Sequence, residues 1–241
     1  MKTGSEIIVD VLADEGVETI FGYSGGAILP TYDEVFKYNE ANPENPMPLI
    51  VPSNEQGAGF MASGYARSTG KPGVVMVTSG PGATNTVTPV RDAMADSIPM
   101  VIICGQVSRQ AIGSDAFQEA PVTSVMGSVA KHVFLITNEN KLAKTLKAAF
   151  EVATSGRPGP VVVDIPKDVQ TAEISEEDYE DANIAAYSNR ILAIEKSRLN
   201  EEKSSEFFAH LSNSKKPLIY FGGGVISASA SKELREFVDY F

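Results

Sequence analysis

The chain has 241 residues, 43% of them hydrophobic, with 31 acidic against 20 basic side chains and a net charge of −11. That length and apolar content can build one large α/β domain, or one and a half smaller ones. The acidic balance argues against a nucleic-acid groove or an anionic membrane surface as the main partner, and no apolar run approaches the ~18 residues that cross a bilayer.

The first eight residues, Met1-Lys-Thr-Gly-Ser-Glu-Ile-Ile8, hold an early acid and no apolar h-region, so neither a secretory signal nor a transit peptide is expected. Helical periodicity follows over 5–15 (Ile7, Ile8, Val11, Leu12), and a short strand over 19–22 ends in Tyr23-Ser-Gly-Gly26. A second strand over 48–51 runs into Val51-Pro-Ser-Asn-Glu-Gln-Gly-Ala-Gly59, which places Glu55 where a helix begins. The small residues Gly57, Ala58, Gly59 and Ala62 let a backbone or a flat ring approach closely. Read alone, the stretch has two interpretations. Ser53 and Gln56 can form a capping box, with Glu55 merely complementing the helix dipole. Alternatively, Glu55 is a carboxylate beside a cofactor.

A third strand over 73–79 leads through Gly80-Pro-Gly82 into a helix ending at Asp96, and a fourth spans 99–105. The fourth carries Cys104, the only cysteine, which excludes an intrachain disulfide and fits a reducing, cytoplasmic setting. With His132 and His210 it cannot build a structural zinc site, and no metal ligand is assigned in the chain. A fifth strand over 131–136, an amphipathic helix over 139–155 and a sixth strand over 160–166 complete the pattern. The strands are continuous apolar runs. That predicts a doubly wound, six-stranded parallel sheet with helices on both faces. Ligands of such sheets bind beyond the strands' carboxyl ends. Here those ends are 22–26, 53–55, 79–83 and 105–106, and their convergence on one edge favours the cofactor reading of Glu55.

Residues 171–199 are acidic and read as a solvated linker. A helix over 200–211, a strand in Lys216-Pro-Leu-Ile-Tyr-Phe221, a Gly222–Gly224 turn and a helix over 230–241 read as the start of a second, Rossmann-like domain. The expected division is therefore 1–170, 171–199 and 200–241. A lone strand with two helices cannot bury a core, so the chain is expected to be a fragment.

Taken together, Phe21-Gly-Tyr-Ser-Gly-Gly-Ala-Ile-Leu-Pro30, Glu55-Gln-Gly-Ala-Gly59, Gly64-Tyr-Ala-Arg67, Thr78-Ser-Gly-Pro-Gly-Ala-Thr-Asn85, Gly105-Gln-Val107, Asp115-Ala-Phe-Gln-Glu119, Gly156-Arg-Pro-Gly-Pro160 and Asp164-Ile-Pro-Lys-Asp-Val169 carry a resemblance. The chain resembles the N-terminal part of the large, catalytic subunits of the acetolactate synthase (acetohydroxyacid synthase) family of thiamine-diphosphate-dependent transferases. The likeness is close over about residues 3–170 and looser over 215–241. It implies that Glu55 shares a proton with N1′ of the cofactor's aminopyrimidine. It also implies that the Gly26 amide lies where substrate and aminopyrimidine meet and that Gln118 contacts substrate, making these three the catalytic set. Tyr23, Pro81 and Asn85 would flank the pyrimidine, Phe117, Gln118 and Lys167 would line the substrate pocket, and Arg157 and Gly223 would contact FAD. From the residues alone, Gly80–Gly82 is an ordinary strand-to-helix turn and not a Walker loop. Arg157 is likewise a helix C-terminal cation beside a Gly-Pro turn, and Lys167 a surface lysine.

The implied cofactors are thiamine diphosphate, FAD and Mg²⁺, the last held by a Gly-Asp-Gly…Asn-Asn signature that this sequence does not contain. The implied reaction condenses pyruvate with a second 2-keto acid, pyruvate or 2-ketobutyrate, with loss of CO2, in branched-chain amino acid biosynthesis. A homodimer or homotetramer and a regulatory small subunit are implied partners, and the isolated 241 residues are expected to be inactive. The sequence departs from the family pattern at Ser24 (usually proline), at Asn54 (usually histidine), in the extra loop 38–46 and over 122–130. The retained glutamate disfavours the glyoxylate carboligase branch. Another enzyme of the same cofactor family (sulfoacetaldehyde acetyltransferase, oxalyl-CoA decarboxylase, pyruvate oxidase or decarboxylase type) and a non-catalytic dimerisation module stay open as alternatives.

Overall fold

Apolar runs flanked by glycine and proline turns become strands here, and the intervening amphipathic segments become helices. A computed structural model describes residues 1–181, 184–196 and 199–241. These fall into two compact units, Met1–Ile191 and Leu192–Phe241. The strands in chain order are β1 Lys2–Thr3, β2 Ile20–Tyr23, β3 Leu49–Ile50, β4 Gly73–Val77, β5 Met100–Gln106, β6 His132–Leu135, β7 Pro160–Pro166 and β8 Glu173–Ile174. Six of them form one sheet in the order β3-β2-β4-β5-β7-β6, and every pairing in it is parallel. β1 and β8 pair antiparallel as a separate ladder.

The central strands are buried on both faces. Val74, Val75, Met76 and Val77 are fully enclosed, as are Met100 to Cys104. Alternate residues serve two cores. Val74, Met76, Val101, Ile103, Val161 and Val163 pack against helices Gly4–Asp14 and Leu142–Thr154. Val75, Val77, Ile102, Cys104 and Val162 pack against helices Glu55–Thr69 and Val87–Asp96. Side-chain alternation along a pleated strand makes this two-sided burial unavoidable for an all-apolar run. Chain order reverses between β2 and β4, because β3 lies outside β2 while β4 and β5 extend the other way. In a parallel sheet that reversal opens a crevice at the carboxyl edge.

Several elements differ from the sequence reading. The helix expected from Gly80 to Asp96 is two helices, Pro81–Thr84 and Val87–Asp96. Asn54, not Ser53, caps helix Glu55–Thr69, its side chain accepting from Gly57 N at 2.8 Å. The acidic segment 171–199 is no plain solvated linker: β8 pairs with β1, and helix Ala185–Lys196 places Tyr187 in the first unit's core, with Ile184 and Ile191 packed beside it. Residues 182, 183, 197 and 198 of that segment lie outside the described residues. Lys131 anchors the arrangement. Its amine donates to the carbonyls of Val152 and Ser155 at the end of helix Leu142–Thr154 and lies 5.3 Å over the Tyr187 ring, and burial pushes its pKa down to about 8.

In the second unit, helices Glu201–Ser212 and Ser231–Tyr240 meet through Phe207, Phe208, Phe237 and Phe241. The expected strand after Lys216 does not form, and Leu218 and Tyr220 are almost fully exposed. Without a neighbouring strand an apolar run has no ladder to join. No described helix is long and apolar enough to cross a membrane.

One buried acid stands out in the sheet. Asp164 on β7 is 1% exposed; its Oδ2 accepts from Gln106 Nε2 at 3.0 Å, and its Oδ1 has no partner among the described residues. Burial pushes the carboxyl up to about 7, opposed by the Gln106 amide. The folded protein therefore binds this proton more tightly than the unfolded chain. Its favourable contribution is complete below pH ~4 and lost as pH rises to about 7, a difference on the order of 4 kcal/mol. Asp164→Asn is expected to unfold at a higher temperature than the wild type at pH 8, with the gap narrowing steadily as the pH is lowered to 5, as read by circular dichroism melts.

Candidate active site

Glu55 opens helix Glu55–Thr69, whose residues 55, 58, 59, 62, 63 and 66 form one buried stripe against the sheet. The carboxylate belongs to that stripe and is 8% exposed. Its Oε2 accepts a 2.8 Å hydrogen bond from Asn85 Nδ2, the only side chain that donates to it among the described residues. The helix N-terminus adds favourable partial positive charge. Burial, and to a lesser degree the Glu55 charge, pushes up the Tyr32 phenol, and its hydroxyl donates to the Met76 carbonyl at 2.9 Å. The apolar residues near Glu55 in sequence do not shield it. Val51, Phe60 and Met61 are each about half exposed, because at 3.6 residues per turn positions 60 and 61 face away from the stripe.

The strand-end turns meet around this carboxylate. Thr78, at the end of β4, accepts from Ala27 N at 3.2 Å. A Cβ added at Gly25 would lie 2.5 Å from the Thr78 methyl, so the turn after β2 seats directly on this side chain. A Cβ on Gly82 would stand 2.7 Å from the same methyl and 3.7 Å from Glu55 Oε1. Gly80 has φ +54°, and its bare α-carbon is packed against the backbone of Gln118, whose carbonyl oxygen would be 2.4 Å from a Cβ there. The carbonyl of Ala27 is held from a distance by the fully buried Gln170, Nε2 to O at 2.7 Å. A Cβ on Gly26, in contrast, would meet nothing within 4 Å, and the residue is exposed.

The structure thus brings Gly26, Glu55, Pro81, Asn85 and the backbone of Gln118 to one edge, beside Tyr23 at the tip of β2. Asp115 and Gln118 hold φ of +56° and +57°. Such strained non-glycine conformations cost about 1–3 kcal/mol each and cluster at ligand sites. Phe117 is 88% exposed, and Lys167 is exposed at the start of helix Lys167–Thr171. Arg157 is engaged elsewhere. Its guanidinium donates to Ser97 Oγ and to the carbonyls of Met94 and Ala95, closing the end of helix Val87–Asp96. Gly223 belongs to the second unit, at the start of helix Gly223–Ser227. Sequence reasoning missed Tyr32, Gln106 and Gln170. Their roles lie in contacts with residues far along the chain, such as Met76, Asp164 and Ala27, which no local pattern pairs with them.

A buried carboxylate at a helix start, a bare glycine cradle and an open glycine turn across the switch point define an α/β domain built to hold a flat, nitrogen-bearing cofactor ring. The donor set fits an aminopyrimidine, since Glu55 presents an acceptor that can share a ring-nitrogen proton. The chain belongs to the thiamine pyrophosphate enzymes: the family model "Thiamine pyrophosphate enzyme, N-terminal TPP binding domain" matches residues 2–126, just over half of it. Thiamine pyrophosphate (thiamine diphosphate) is the cofactor of that family. Among curated relatives, the chain is 46% identical over 236 residues to the mitochondrial acetolactate synthase catalytic subunit of Aspergillus candidus, covering 97% of this chain and 33% of that protein. It is 45% identical over 242 residues to the corresponding subunit of Saccharomyces cerevisiae, covering 98% and 34%. It is 43% identical over 238 residues to the acetolactate synthase large subunit of Corynebacterium glutamicum, covering 99% and 36%. The chain therefore spans about a third of the length of these relatives.

The two neighbouring glycines make opposite predictions. Gly25→Ala forces a methyl into Thr78 and is expected to cost about 1–3 kcal/mol of stability, as overpacking does. Gly26→Ala is expected to leave the unfolding temperature unchanged while weakening thiamine diphosphate binding, read by titration calorimetry on the full-length protein.

Proposed function

We propose that the full-length protein is an acetolactate synthase catalytic subunit, condensing two pyruvates, or pyruvate and 2-ketobutyrate, to a 2-acetohydroxy acid with release of CO2. The reading rests on one observation above the others: Glu55 is buried at the carboxyl edge of the sheet, held by Asn85 and beside the bare α-carbon of Gly82. The named relatives support it.

When bound, thiamine diphosphate supplies a carbon nucleophile and an electron sink for decarboxylation. The protein's part is orientation and proton handling. Glu55 holds a proton against the ring nitrogen, and Asn85 fixes the carboxylate's rotamer by donating to the other oxygen. Gly26 offers a backbone amide to the reacting end because no side chain blocks it. Tyr23 and Pro81 flank the ring. Gln118 is the polar contact for the 2-keto acid, with Phe117 and Lys167 at the pocket's entrance. FAD at Arg157 and Gly223, and Mg²⁺ bound through a region of the relatives' length that this chain does not span, follow the same reading. So does a homodimer or homotetramer, with a regulatory small subunit as partner. The exposed Phe60 and Met61 on the Glu55 helix support a subunit contact beside the site. A cytoplasmic setting accords with the single, buried Cys104.

In the full-length protein, Glu55→Gln is expected to lower kcat for pyruvate condensation by about 10²–10⁴-fold, the usual scale for a lost proton-transfer group, with the melting temperature unchanged. A wild-type protein that binds thiamine diphosphate but forms no acetohydroxy acid from pyruvate would overturn the assignment.

A further inference from the structure

Of the motifs carrying the family likeness, Gly105-Gln-Val107 has no task in the site as described, and Asp164-Ile-Pro-Lys-Asp-Val169 contributes only Lys167. Their side chains meet inside the fold. β5 and β7 pair with Cys104 opposite Asp164, and Gln106 lies two residues further along on the same face. Gln106 is 3% exposed and uses both ends of its amide. Nε2 donates to Asp164 Oδ2 at 3.0 Å and to the Ala120 carbonyl at 3.2 Å, while Oε1 accepts from Val107 N at 2.9 Å. Val107 and Ala120 are the two ends of the segment bearing Phe117 and Gln118. One side chain therefore closes the neck of that loop, and the Asp164 carboxylate fixes the rotamer of that side chain.

The rest of the loop is tied to itself and to one flank. Glu119 accepts from the amides of Gly113 and Ala116, which hold its carboxyl below the usual range. Arg109 pairs with Asp168 at 2.7 Å and with Glu139 at 2.5 Å, and donates to the Thr137 carbonyl. Neither set of contacts reaches Ala120. Among the described residues Gln106 is the one side chain that hydrogen-bonds both ends of the loop, and Asp164 is its partner inside the fold.

As an element of folding, Asp164 is a poor choice. It leaves Oδ1 without a partner among the described residues, in an apolar face lined by Cys104, Val162 and Met126. Its ionised form is disfavoured by burial, and the neighbouring Cys104 thiol is pushed up by burial and, to a lesser degree, by the Asp164 charge. Helix Val122–Gly127, packed over that face, carries no titratable side chain, and on β6 alternation puts His132 on the opposite face from Leu135, the partner of Asp164. What the carboxylate contributes is one hydrogen bond, and that bond serves the loop.

We propose that Asp164 is a positioning residue for the 2-keto acid pocket, acting through Gln106 to hold the 107–120 loop so that Gln118 stays against the Gly80 turn. The inference rests on the reading of Gln118 as the substrate contact, and its test separates the two. The full-length protein is compared with Asp164→Leu, which removes the acceptor, Asp164→Asn, which keeps one, and Gln106→Met, which opens the neck while leaving Asp164 in place. Hydrogen–deuterium exchange over 107–121 is read first, because it needs no turnover. It is expected to rise in Asp164→Leu and Gln106→Met, to stay at the wild-type level in Asp164→Asn, and to leave β4 and β5 unchanged. Steady-state kinetics with pyruvate are read second. KM is expected to rise about tenfold in the two disruptive variants, with kcat and thiamine diphosphate affinity changed by less than about threefold, as for a displaced binding group. Asp164→Asn is expected to restore KM.

Unchanged loop exchange in Gln106→Met overturns the positioning role, even if Asp164→Leu fails to fold. Raised loop exchange with an unchanged KM overturns the link to substrate. A wild-type protein that turns over no 2-keto acid removes the functional reading, while the exchange result still decides whether Asp164 holds the loop.

Discussion

Close backbone approach at the carboxyl edge of the sheet is the constraint on which the site depends. Three turns leave adjacent strands there, and they fit only because side chains are missing at the points of contact. Thr78 is the common post. It touches the turn after β2 at Gly25, hydrogen-bonds Ala27 and faces Gly82 beside Glu55. A larger residue at any of these contacts would push one turn away from another, and the carboxylate would lose its place relative to Gly26. Gly105 meets the same demand on the far side, since a Cβ there would lie 2.6 Å from the Ala27 carbonyl.

Within that frame the Glu55 carboxylate is stabilised by local rather than long-range charge. The carboxylate's own partner is a neutral amide, and Arg67 of the same helix is paired with Asp92 and Asp96. Placement at the start of a helix adds a modest electrostatic benefit.

Much of this was legible in the residues, and the reasons are physical. Short continuous apolar runs such as 73–77 and 100–104, flanked by glycine and proline, read as parallel strands covered on both sides, so the sheet and its ligand-bearing edge followed directly. Glu55 and Gly80–Gly82 were visible because a lone acid among small residues, and glycines after a strand, are local patterns. Contacts such as Gln170 to Ala27 and Asp164 to Gln106 were not, since 143 and 58 residues separate the partners and nothing in a one-dimensional pattern pairs them. The acidic segment misled for a different reason: its charge hid a helical spacing of Ile184, Tyr187 and Ile191 that packs on the first unit. The run 216–221 misled in the opposite direction, because apolar composition alone does not create a strand where no ladder partner lies alongside.

The short antiparallel ladder sets Lys2 opposite Ile174 and Thr3 opposite Glu173, with Gly4 N continuing it to the Ala172 carbonyl at 3.0 Å. The ladder thus ties 173–174 to 2–3 before the chain goes on to lay Tyr187 into the same core. The backbone could be cut in an outer surface loop such as 42–46 with the ladder still clasping the two pieces. The cofactor edge would survive such a nick, because its geometry is stored in the strand order rather than in the continuity of the thread.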